Sequence, residues 1–383
     1  MLDPRTLKIM VAGGSIGGLA TGIALTGIGC EVKIFERKRE PLQSAGAGIV
    51  VQPDLLGLLA RAKAPPLPMT RCRQRCHLAP DGRETHVALA HQQFTSWESI
   101  YWTMRGVFPD ANYHLGAEVT NHRQTGDGVA FEIERHGTVQ ADLLVAADGM
   151  QSGFRRMLQP QAQPSYAGYI AWRGTVPESA VSDALLAKFD DRFTFCEARS
   201  GGHMLVYLIP GEGADARYGH RCLNWVWYVA ADDQALEDHL TDRHGRRHHS
   251  SLPRGYASDA AIDYLRTRAR EELAPVMAKL VAATDEPFIQ KIADAAVERT
   301  VFDRVMLLGD AAFLVRPHTA AAAAKACFDA SLLAEALSHR ETSSLEAALA
   351  TVEPSQLDYG RRLVEHGVTL GRNWPARRRR AAD

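Results

Sequence analysis

The chain has little net charge, few cysteines and no internal repeat, and each absence excludes a class of protein. Its 383 residues carry a formal net charge of −1, so no excess of either sign favours a nucleic acid or a membrane surface as a partner. The six cysteines are scattered without the spacing of a zinc site. We therefore expect reduced thiols, no metal centre and a cytoplasmic enzyme long enough for two domains.

Charge is also missing from one long stretch, the 22 residues Ile9–Cys30. A run of this length could form a membrane span. Seven of these residues are glycine, however, and a strand-like sequence resumes directly at Glu31. We therefore expect no membrane span.

The same stretch contains the most informative motif, the glycine-rich turn Gly13–Gly18. It follows a short apolar run at Leu7–Ala12 and opens a helical segment at Ile16–Gly27, and a second strand at Val32–Phe35 ends in Glu36. Glycines let backbone N–H groups approach a pyrophosphate, which the positive end of the helix also attracts. A carboxylate after the second strand can accept ribose hydroxyls. The pattern predicts a dinucleotide-binding βαβ unit.

Ser15 replaces the usual second glycine of this motif, and it leaves a different interpretation open. Gly13–Gly17 also fits G-x-S-x-G, the turn that carries the nucleophile of α/β-hydrolases. That turn requires earlier strands and an oxyanion loop, and only twelve residues precede Gly13. A serine hydrolase with Ser15 as nucleophile is therefore the distant alternative.

Two later turns follow buried strands in the same way. Leu143–Ala147 ends in Asp148-Gly149, and Arg304–Leu308 ends in Gly309-Asp310. Between them, aromatic and β-branched runs predict an antiparallel sheet from Tyr166–Val176, His203–Pro210 and Leu223–Val229.

In this order and spacing, the three turns resemble the FAD-dependent aromatic hydroxylases of the p-hydroxybenzoate hydroxylase type. The similarity covers nearly the whole chain. It is strongest to the 2,6-dihydroxypyridine 3-hydroxylase branch, through Gly48–Pro53, Tyr166–Gly174 and Arg316–His318.

The resemblance implies a mixed α/β fold, with a Rossmann-like FAD-binding domain, an inserted antiparallel-sheet substrate domain and a C-terminal helical segment. The FAD-binding domain would comprise residues 1–70, 95–160 and 290–340. The substrate domain would comprise residues 71–94 and 161–289. Residues 341–383 would form the helical segment, which ends in the basic tail Arg377–Arg380.

The resemblance also implies a reaction. FAD would be bound tightly without a covalent link, NADH or NADPH would reduce it transiently, and O2 would be the co-substrate. A flavin hydroperoxide would then hydroxylate a small electron-rich aromatic or N-heteroaromatic ring, with a dihydroxypyridine as the expected substrate. A flavin-binding protein or NAD(P)H oxidase with impaired hydroxylation is the alternative, and a homodimer stays open.

Cofactor contacts are carried over from the family by position. Asp148 and Gly149 would lie at the pyrophosphate and Asp310 at the ribityl chain. Arg105 would replace a flavin-contacting arginine that many relatives have where this chain has Trp102. The full set is Gly13, Ser15, Ile16, Gly18, Glu36, Arg37, Val50, Arg105, Asp148, Gly149, Asp310, Ala321, Ala322 and Ala323.

Four residues are the candidates for the reaction itself: His318, Pro317, His203 and Tyr207. The resemblance places His318 over the flavin, where its ordinary pKa suits acid–base work, although it could equally be a structural histidine. Pro317 would line the reaction cavity. His203 and Tyr207 share one face of a predicted strand, and Trp225 and Trp227 share one face of another. Ordinary packing within the sheet is the alternative explanation for each of these four residues.

The flavin loop departs from the family because relatives carry glycine where this chain has Ala320–Ala324. An alanine forced to a positive φ would cost about 1–2 kcal/mol. Lys325, in the first turn of the next helix, would oppose the helix dipole unless it meets an anion. The sequence therefore predicts weakened FAD binding as one outcome.

Overall fold

The structure is a computed structural model, and it describes residues 2–42, 48–126, 128–134 and 137–372. The predicted basic tail at Arg377–Arg380 lies outside the described residues.

The strands share the apolar, β-branched character of the predicted runs. In chain order they are β1 Lys8–Ala12, β2 Glu31–Glu36, β3 Gly48–Val50, β4 Thr70–Leu78, β5 Glu84–Ser96, β6 Tyr113–Leu115, β7 Val119–Thr125, β8 Gly128–Ile133, β9 Gly137–Ala141, β10 Leu143–Ala146, β11 Ser165–Pro177, β12 Arg192–Glu197, β13 His203–Ile209, β14 Cys222–Ala230, β15 Ser251–Leu252, β16 Phe288–Ala296, β17 Val301–Phe302, β18 Val305–Leu307 and β19 Phe313–Leu314.

The α-helices mostly begin where a serine, aspartate or proline can satisfy or replace a free N–H group. They are α1 Ile16–Gly27, α2 Pro53–Arg61, α3 Trp97–Arg105, α4 Gly153–Leu158, α5 Asp183–Leu186, α6 Asp233–His239, α7 Asp259–Glu272, α8 Pro275–Ala282, α9 Ala322–Ser338 and α10 Leu345–Arg372. None of the helices in the described ranges is long and apolar enough to cross a membrane.

A six-stranded sheet holds the predicted βαβ unit, in the order β17-β18-β10-β1-β2-β6. Its strands are parallel except β17, and β1 pairs with both β2 and β10. Helices α1 and α9 pack together on one face, while the small sheet β7-β8-β9 covers the other. Because β1, β10 and β18 are neighbours and parallel, the three turns that follow them meet at one edge of the sheet.

A second sheet has ten strands, in the order β15-β16-β11-β14-β13-β12-β4-β5-β3, with β19 paired to β16. The three strands predicted between 166 and 229 are adjacent and antiparallel in it, while β12 and β4 pair in parallel. One face is apolar and contains Trp172, Trp225 and Trp227 in the core with α7 and α8. The predicted shared face of Trp225 and Trp227 is therefore a packing face.

The predicted fold class is confirmed, since a parallel nucleotide-type sheet and a largely antiparallel sheet are both present. The domain boundaries stay a prediction. Three of them fall inside strands of the ten-stranded sheet: 70/71 in β4, 94/95 in β5 and 289/290 in β16.

Candidate active site

Three glycines of the turn between β1 and α1, Gly13, Gly14 and Gly18, have no space for a Cβ. Gly13 has a φ of +103°, and a Cβ there would lie 2.4 Å from the carbonyl oxygen of Ala147. A Cβ on Gly18 would lie 1.8 Å from the carbonyl oxygen of Gly13. Ser15 begins the helix without making a side-chain cap, and Ile16 is its first residue. The backbone amides of the first helical turn are therefore not capped by Ser15, which suits a phosphate ligand.

Glu36 is held beside this turn by two backbone amides. Its Oε2 accepts a hydrogen bond from Gly14 N at 2.8 Å, and its Oε1 accepts one from Lys38 N at 2.9 Å. The side chain is buried, and the Tyr113 hydroxyl donates to the carbonyl of Gly14 at 2.7 Å. A carboxylate oriented in this way still has lone pairs to accept ribose hydroxyls.

Three other predicted cofactor positions lie on separate elements. Arg105 lies with its guanidinium 4.1 Å from the ring centre of Tyr113 and donates to Asp110 at 2.5 Å. Tyr113 in turn contacts the glycine turn through the carbonyl of Gly14. Arg37 is exposed directly after Glu36, and Val50 is half-buried at the end of β3.

A buried arginine joins the other two turns. Arg155 is fully buried, and its Nη1 donates to the carbonyls of Asp310 and Ala311 at 3.0 and 3.1 Å. Its Nη2 donates to the carbonyl of Met150. The turn after β10 and the turn after β18 are thus fixed relative to each other by one guanidinium.

These acidic turns fit a ligand rich in hydroxyl groups. Asp148 accepts from Gly153 N at 2.8 Å through Oδ2, but its Oδ1 is buried without a hydrogen-bond partner among the described residues. Gly149, with a φ of +81°, would meet nothing within 4 Å if it carried a Cβ, so its backbone faces open space. Burial raises the pKa of Asp310, while Lys325 and Arg155 oppose that rise. FAD supplies hydroxyl donors of the kind that the free Asp148 oxygen lacks.

The alanine run takes up the strained conformation at one position. Ala320 has a φ of +53° and a ψ of 24°, which is the left-handed region, and its carbonyl accepts from Gln52 Nε2 at 2.7 Å. Ala321 is buried at the start of α9, Ala322 is exposed and Ala323 is half-buried, all with φ outside the left-handed region. The predicted strain therefore applies to Ala320 among these residues.

Lys325 forms an ion pair with Asp329, so the cation in the first turn of α9 has the anionic partner that its position calls for. Its Nζ lies 2.7 Å from Asp329 Oδ2 and 3.2 Å from the carbonyl oxygen of Gly309. Asp329 Oδ2 also accepts from Gly309 N at 3.2 Å. The pair therefore holds the Gly309-Asp310 turn against α9, and its charge is neutralised in place.

His318 lies at the centre of the second candidate group, in the 3-10 turn Pro317–Thr319. Its Nε2 is 2.7 Å from the Tyr169 hydroxyl, and its ring lies 4.3 Å from that of Tyr228 and 6.2 Å from that of His203. The structure therefore brings His318 and His203 together, with Pro317 in the same turn. Two tyrosines that were not predicted complete the group.

An ion pair orients the Tyr169 hydroxyl. Arg316 binds Asp294 through Nε at 2.7 Å and Nη2 at 2.6 Å, and its Nη1 lies 3.5 Å from the Tyr169 oxygen. An arginine can only donate, so the tyrosine oxygen accepts from it. The phenol proton can then point to His318 Nε2.

Burial makes both histidines neutral. It lowers the pKa of His318 to about 2, with help from the charges of Arg316 and Arg173, and it lowers the pKa of His203 to about 3. The expectation that His318 titrates near its ordinary pKa is therefore wrong, because desolvation penalises the imidazolium. A neutral His318 can hold a substrate by hydrogen bonds but is not a stored proton at neutral pH.

Arg173 lies near three residues of this group. Its charge opposes the rise in pKa that burial causes in Tyr207 and Tyr228, and it adds to the fall in the pKa of His318. Its Nε is buried without a hydrogen-bond partner among the described residues. Tyr207 itself stacks on Phe94 with ring centres 4.4 Å apart, so it packs in an aromatic cluster beside the group.

Some residues of this site were not predicted from the sequence, and the sequence indicates them to different degrees. Tyr169 and Arg173 lie in the segment quoted for the resemblance, and strand alternation places them on one face. Arg316 also lies in a segment quoted for the resemblance, but its contact with Asp294 joins residues 22 apart. Asp294 and Arg155 gave no signal, because their roles depend on such long-range contacts.

Comparisons with known proteins find FAD-dependent monooxygenases similar to this chain over most of its length. A family model described as FAD binding domain-like matches residues 166–294. The chain is 32% identical to 2,6-dihydroxypyridine 3-monooxygenase from Paenarthrobacter nicotinovorans, over 94% of this chain and 89% of that protein. It is 28% identical to a FAD-dependent urate hydroxylase from Klebsiella pneumoniae, over 94% and 88%. The solved 2,6-dihydroxypyridine-3-hydroxylase from Arthrobacter nicotinovorans superposes with a TM-score of 0.87 at 32% identity, covering 94% of this chain and 91% of that one.

Proposed function

Because this chain belongs to the FAD-dependent aromatic monooxygenases, we propose that its substrate is a small hydroxylated N-heteroaromatic ring, with a dihydroxypyridine as the preferred compound. The family confirms the resemblance, the FAD cofactor and the monooxygenase activity predicted from the sequence. It also leaves the hydrolase interpretation of Ser15 without support. The substrate and the role of each residue are the proposal.

Bound FAD would supply the transfer of two electrons from NAD(P)H to O2, with one oxygen atom going to the ring and the other leaving as water. The residues that would hold it are Glu36 at the ribose, the glycine turn at the pyrophosphate, and Asp148 and Asp310 at hydroxyl groups. The start of α9 would lie at the flavin ring.

The observation that carries the substrate proposal is the unpartnered Nε of Arg173. Arg173 is half-buried, but its Nε–H is buried without a partner among the described residues, which favours a ligand that presents an oxygen acceptor, and an ionised one most of all. Hydroxypyridines ionise to give such an oxygen, and ionisation also makes the ring richer in electrons. The relative with 32% identity is named for a dihydroxypyridine.

The aromatic residues around Arg173 would complete the substrate site. Tyr169, Tyr228 and His203 provide flat surfaces for a ring and exclude water from it. His318, neutral and bonded to Tyr169, would act as a hydrogen-bonding partner that orients the ring. In this proposal Arg173 stabilises the ionised oxygen while His318 fixes its direction.

Equilibrium binding to the oxidised holoenzyme tests the proposal, with the flavin absorbance as the readout and no NAD(P)H present. We expect 2,6-dihydroxypyridine to bind and unsubstituted pyridine to bind much more weakly. Arg173→Gln should raise the Kd of the dihydroxypyridine by roughly 10- to 100-fold, the range expected for a charge-assisted hydrogen bond. The exposed Arg246→Gln is the matched control. Equal Kd values for Arg173→Gln and wild type would contradict the role of Arg173, and tighter binding of hydroxybenzoates would contradict the ring class.

A further inference from the structure

A basic cleft lies beside the strand edge that leads to the flavin loop. It has a volume of about 830 Å³ and is lined by Val50–Gln52 and by side chains of β4 and β5. Arg71, Arg73 and His91 are exposed in it, and Asp191 is its acidic member. Because the cleft has two arginines and one aspartate, it carries an excess of positive charge.

The cleft is built by a distortion of the β4–β5 pair. The register shifts between Cys72 and Gln74, which is a β-bulge, and bulges commonly redirect side chains near functional sites. Asp191, with a φ of +58°, accepts from Arg73 N at 3.0 Å and from Gln74 N at 3.3 Å through its carbonyl. Its carboxylate also binds the Arg73 side chain. One strained residue thus fixes both the bulge and a guanidinium.

Arg71 is the arginine of the cleft that does not pair with Asp191. It lies opposite Gln93 in the β4–β5 register, and no acidic side chain of the described residues pairs with it. An exposed arginine beside an oriented one makes a pair of guanidiniums that suits two neighbouring anionic groups.

The cleft is continuous with the flavin loop. Gln52 lines it, and Gln52 Nε2 donates to the carbonyl of Ala320, two residues before α9. A molecule bound in the cleft would therefore extend toward the loop assigned to the flavin ring. The volume is within the range of sites for molecules of cofactor size.

We propose that this cleft binds the diphosphate of the nicotinamide dinucleotide that reduces the flavin, with Arg71 and Arg73 as its anion-binding residues and His91 and Gln93 as polar contacts. The proposal depends on the proposed function for the need of such a reductant. It gives the transient cofactor a docking site although the sequence has no second dinucleotide fingerprint.

Anaerobic stopped-flow reduction of the holoenzyme tests it, with NADH and NADPH each varied in concentration. The double variant Arg71→Gln/Arg73→Gln should raise the Kd of the reductant roughly tenfold or more and leave the limiting reduction rate within about twofold. Rising salt should weaken reductant binding to wild type more than to the double variant. Arg83→Gln, an exposed arginine at the far end of the same strand pair, is the control and should match wild type.

The outcomes separate this proposal from the function on which it depends. If wild type is reduced by neither nucleotide, the proposed function fails. If wild type is reduced and the double variant has an unchanged Kd for the reductant, the cleft is not the docking site. A changed Kd for the aromatic substrate with an unchanged Kd for the reductant would also overturn the assignment. Reduction by dithionite should be the same in every variant, which shows that the flavin is intact.

Discussion

Lys325 Nζ lies 2.7 Å from Asp329 Oδ2, one turn further along α9, and neither side chain is exposed to solvent. The pair contacts both the N–H and the carbonyl of Gly309. A cation in the first turn of a helix would be unfavourable alone. Here its partner cancels that effect, and the two side chains together hold the turn that carries Asp310.

Removing the cation should therefore destabilise the fold and the cofactor site together. Lys325→Met leaves Asp329 buried and unpaired, so we expect a loss of about 3–5 kcal/mol in the free energy of unfolding and weaker FAD binding. The double variant Lys325→Met/Asp329→Leu should recover much of the stability, because no buried charge is left alone. Urea unfolding and FAD release measure the two effects. An unchanged stability of Lys325→Met would contradict the account of the pair.

The glycine turn should not tolerate a methyl group. Gly18→Ala places a Cβ 1.8 Å from the carbonyl oxygen of Gly13, so we expect a loss of about 1–3 kcal/mol in stability and a higher Kd for FAD. Gly27→Ala is the matched control at the end of the same helix, since a Cβ there meets nothing within 4 Å. Fluorescence titration with FAD compares the two. Similar affinities for both variants would show that the turn is not in contact with the cofactor.

The alanine loop should gain from a glycine at one position only. Ala320→Gly relieves a left-handed alanine, which costs about 1–2 kcal/mol, and loses part of that gain through the greater freedom of the unfolded chain. We expect a net stabilisation of about 0.5–1 kcal/mol. Ala322→Gly, at the first residue of α9 and with φ outside the left-handed region, should give no such gain and instead destabilise by up to about 0.5 kcal/mol. Thermal unfolding of both variants tests this prediction. Stabilisation by Ala322→Gly and not by Ala320→Gly would contradict the assignment of strain to Ala320.

Stability should fall when the pH drops below about 6.5. The pKa of His318 is lowered to about 2 and that of His203 to about 3, from 6.5, so the unfolded chain binds protons that the folded chain does not. The stabilisation is complete above pH 6.5 and is lost progressively as the pH falls toward the folded values. Urea unfolding between pH 7.5 and about 4 should show a shallower pH dependence for His318→Gln. The exposed His366→Gln should keep the slope of wild type. A slope unchanged in His318→Gln would contradict the burial of a neutral imidazole.

Much of this site could be predicted from the sequence, because its strongest signals are local. Glu36 ends a strand, and the glycine turn, Asp148-Gly149 and Gly309-Asp310 each follow one, so parallel pairing alone brings them together. The need of Lys325 for an anion was predicted, but Asp329 was not named as its partner, although residues at i and i+4 meet on a helix.

The remaining features depend on tertiary contacts that no local pattern encodes. Arg155 is an ordinary arginine in a short helix until the turn after β18 folds over it. The pKa of His318 follows from burial among side chains of β11, β13 and β14, and its sequence neighbours give no hint of that. The cofactor and catalytic roles of the named residues stay predictions.

The most direct measurement of the central claim is the product formed from 2,6-dihydroxypyridine under isotopically heavy dioxygen, together with NAD(P)H consumption. We expect the yellow holoenzyme to oxidise NAD(P)H faster when the substrate is present, and mass spectrometry to find one heavy oxygen atom in the hydroxylated ring. Consumption of NAD(P)H with only peroxide formed, and no heavy oxygen in any hydroxypyridine, would contradict the proposed substrate class and indicate an oxidase instead.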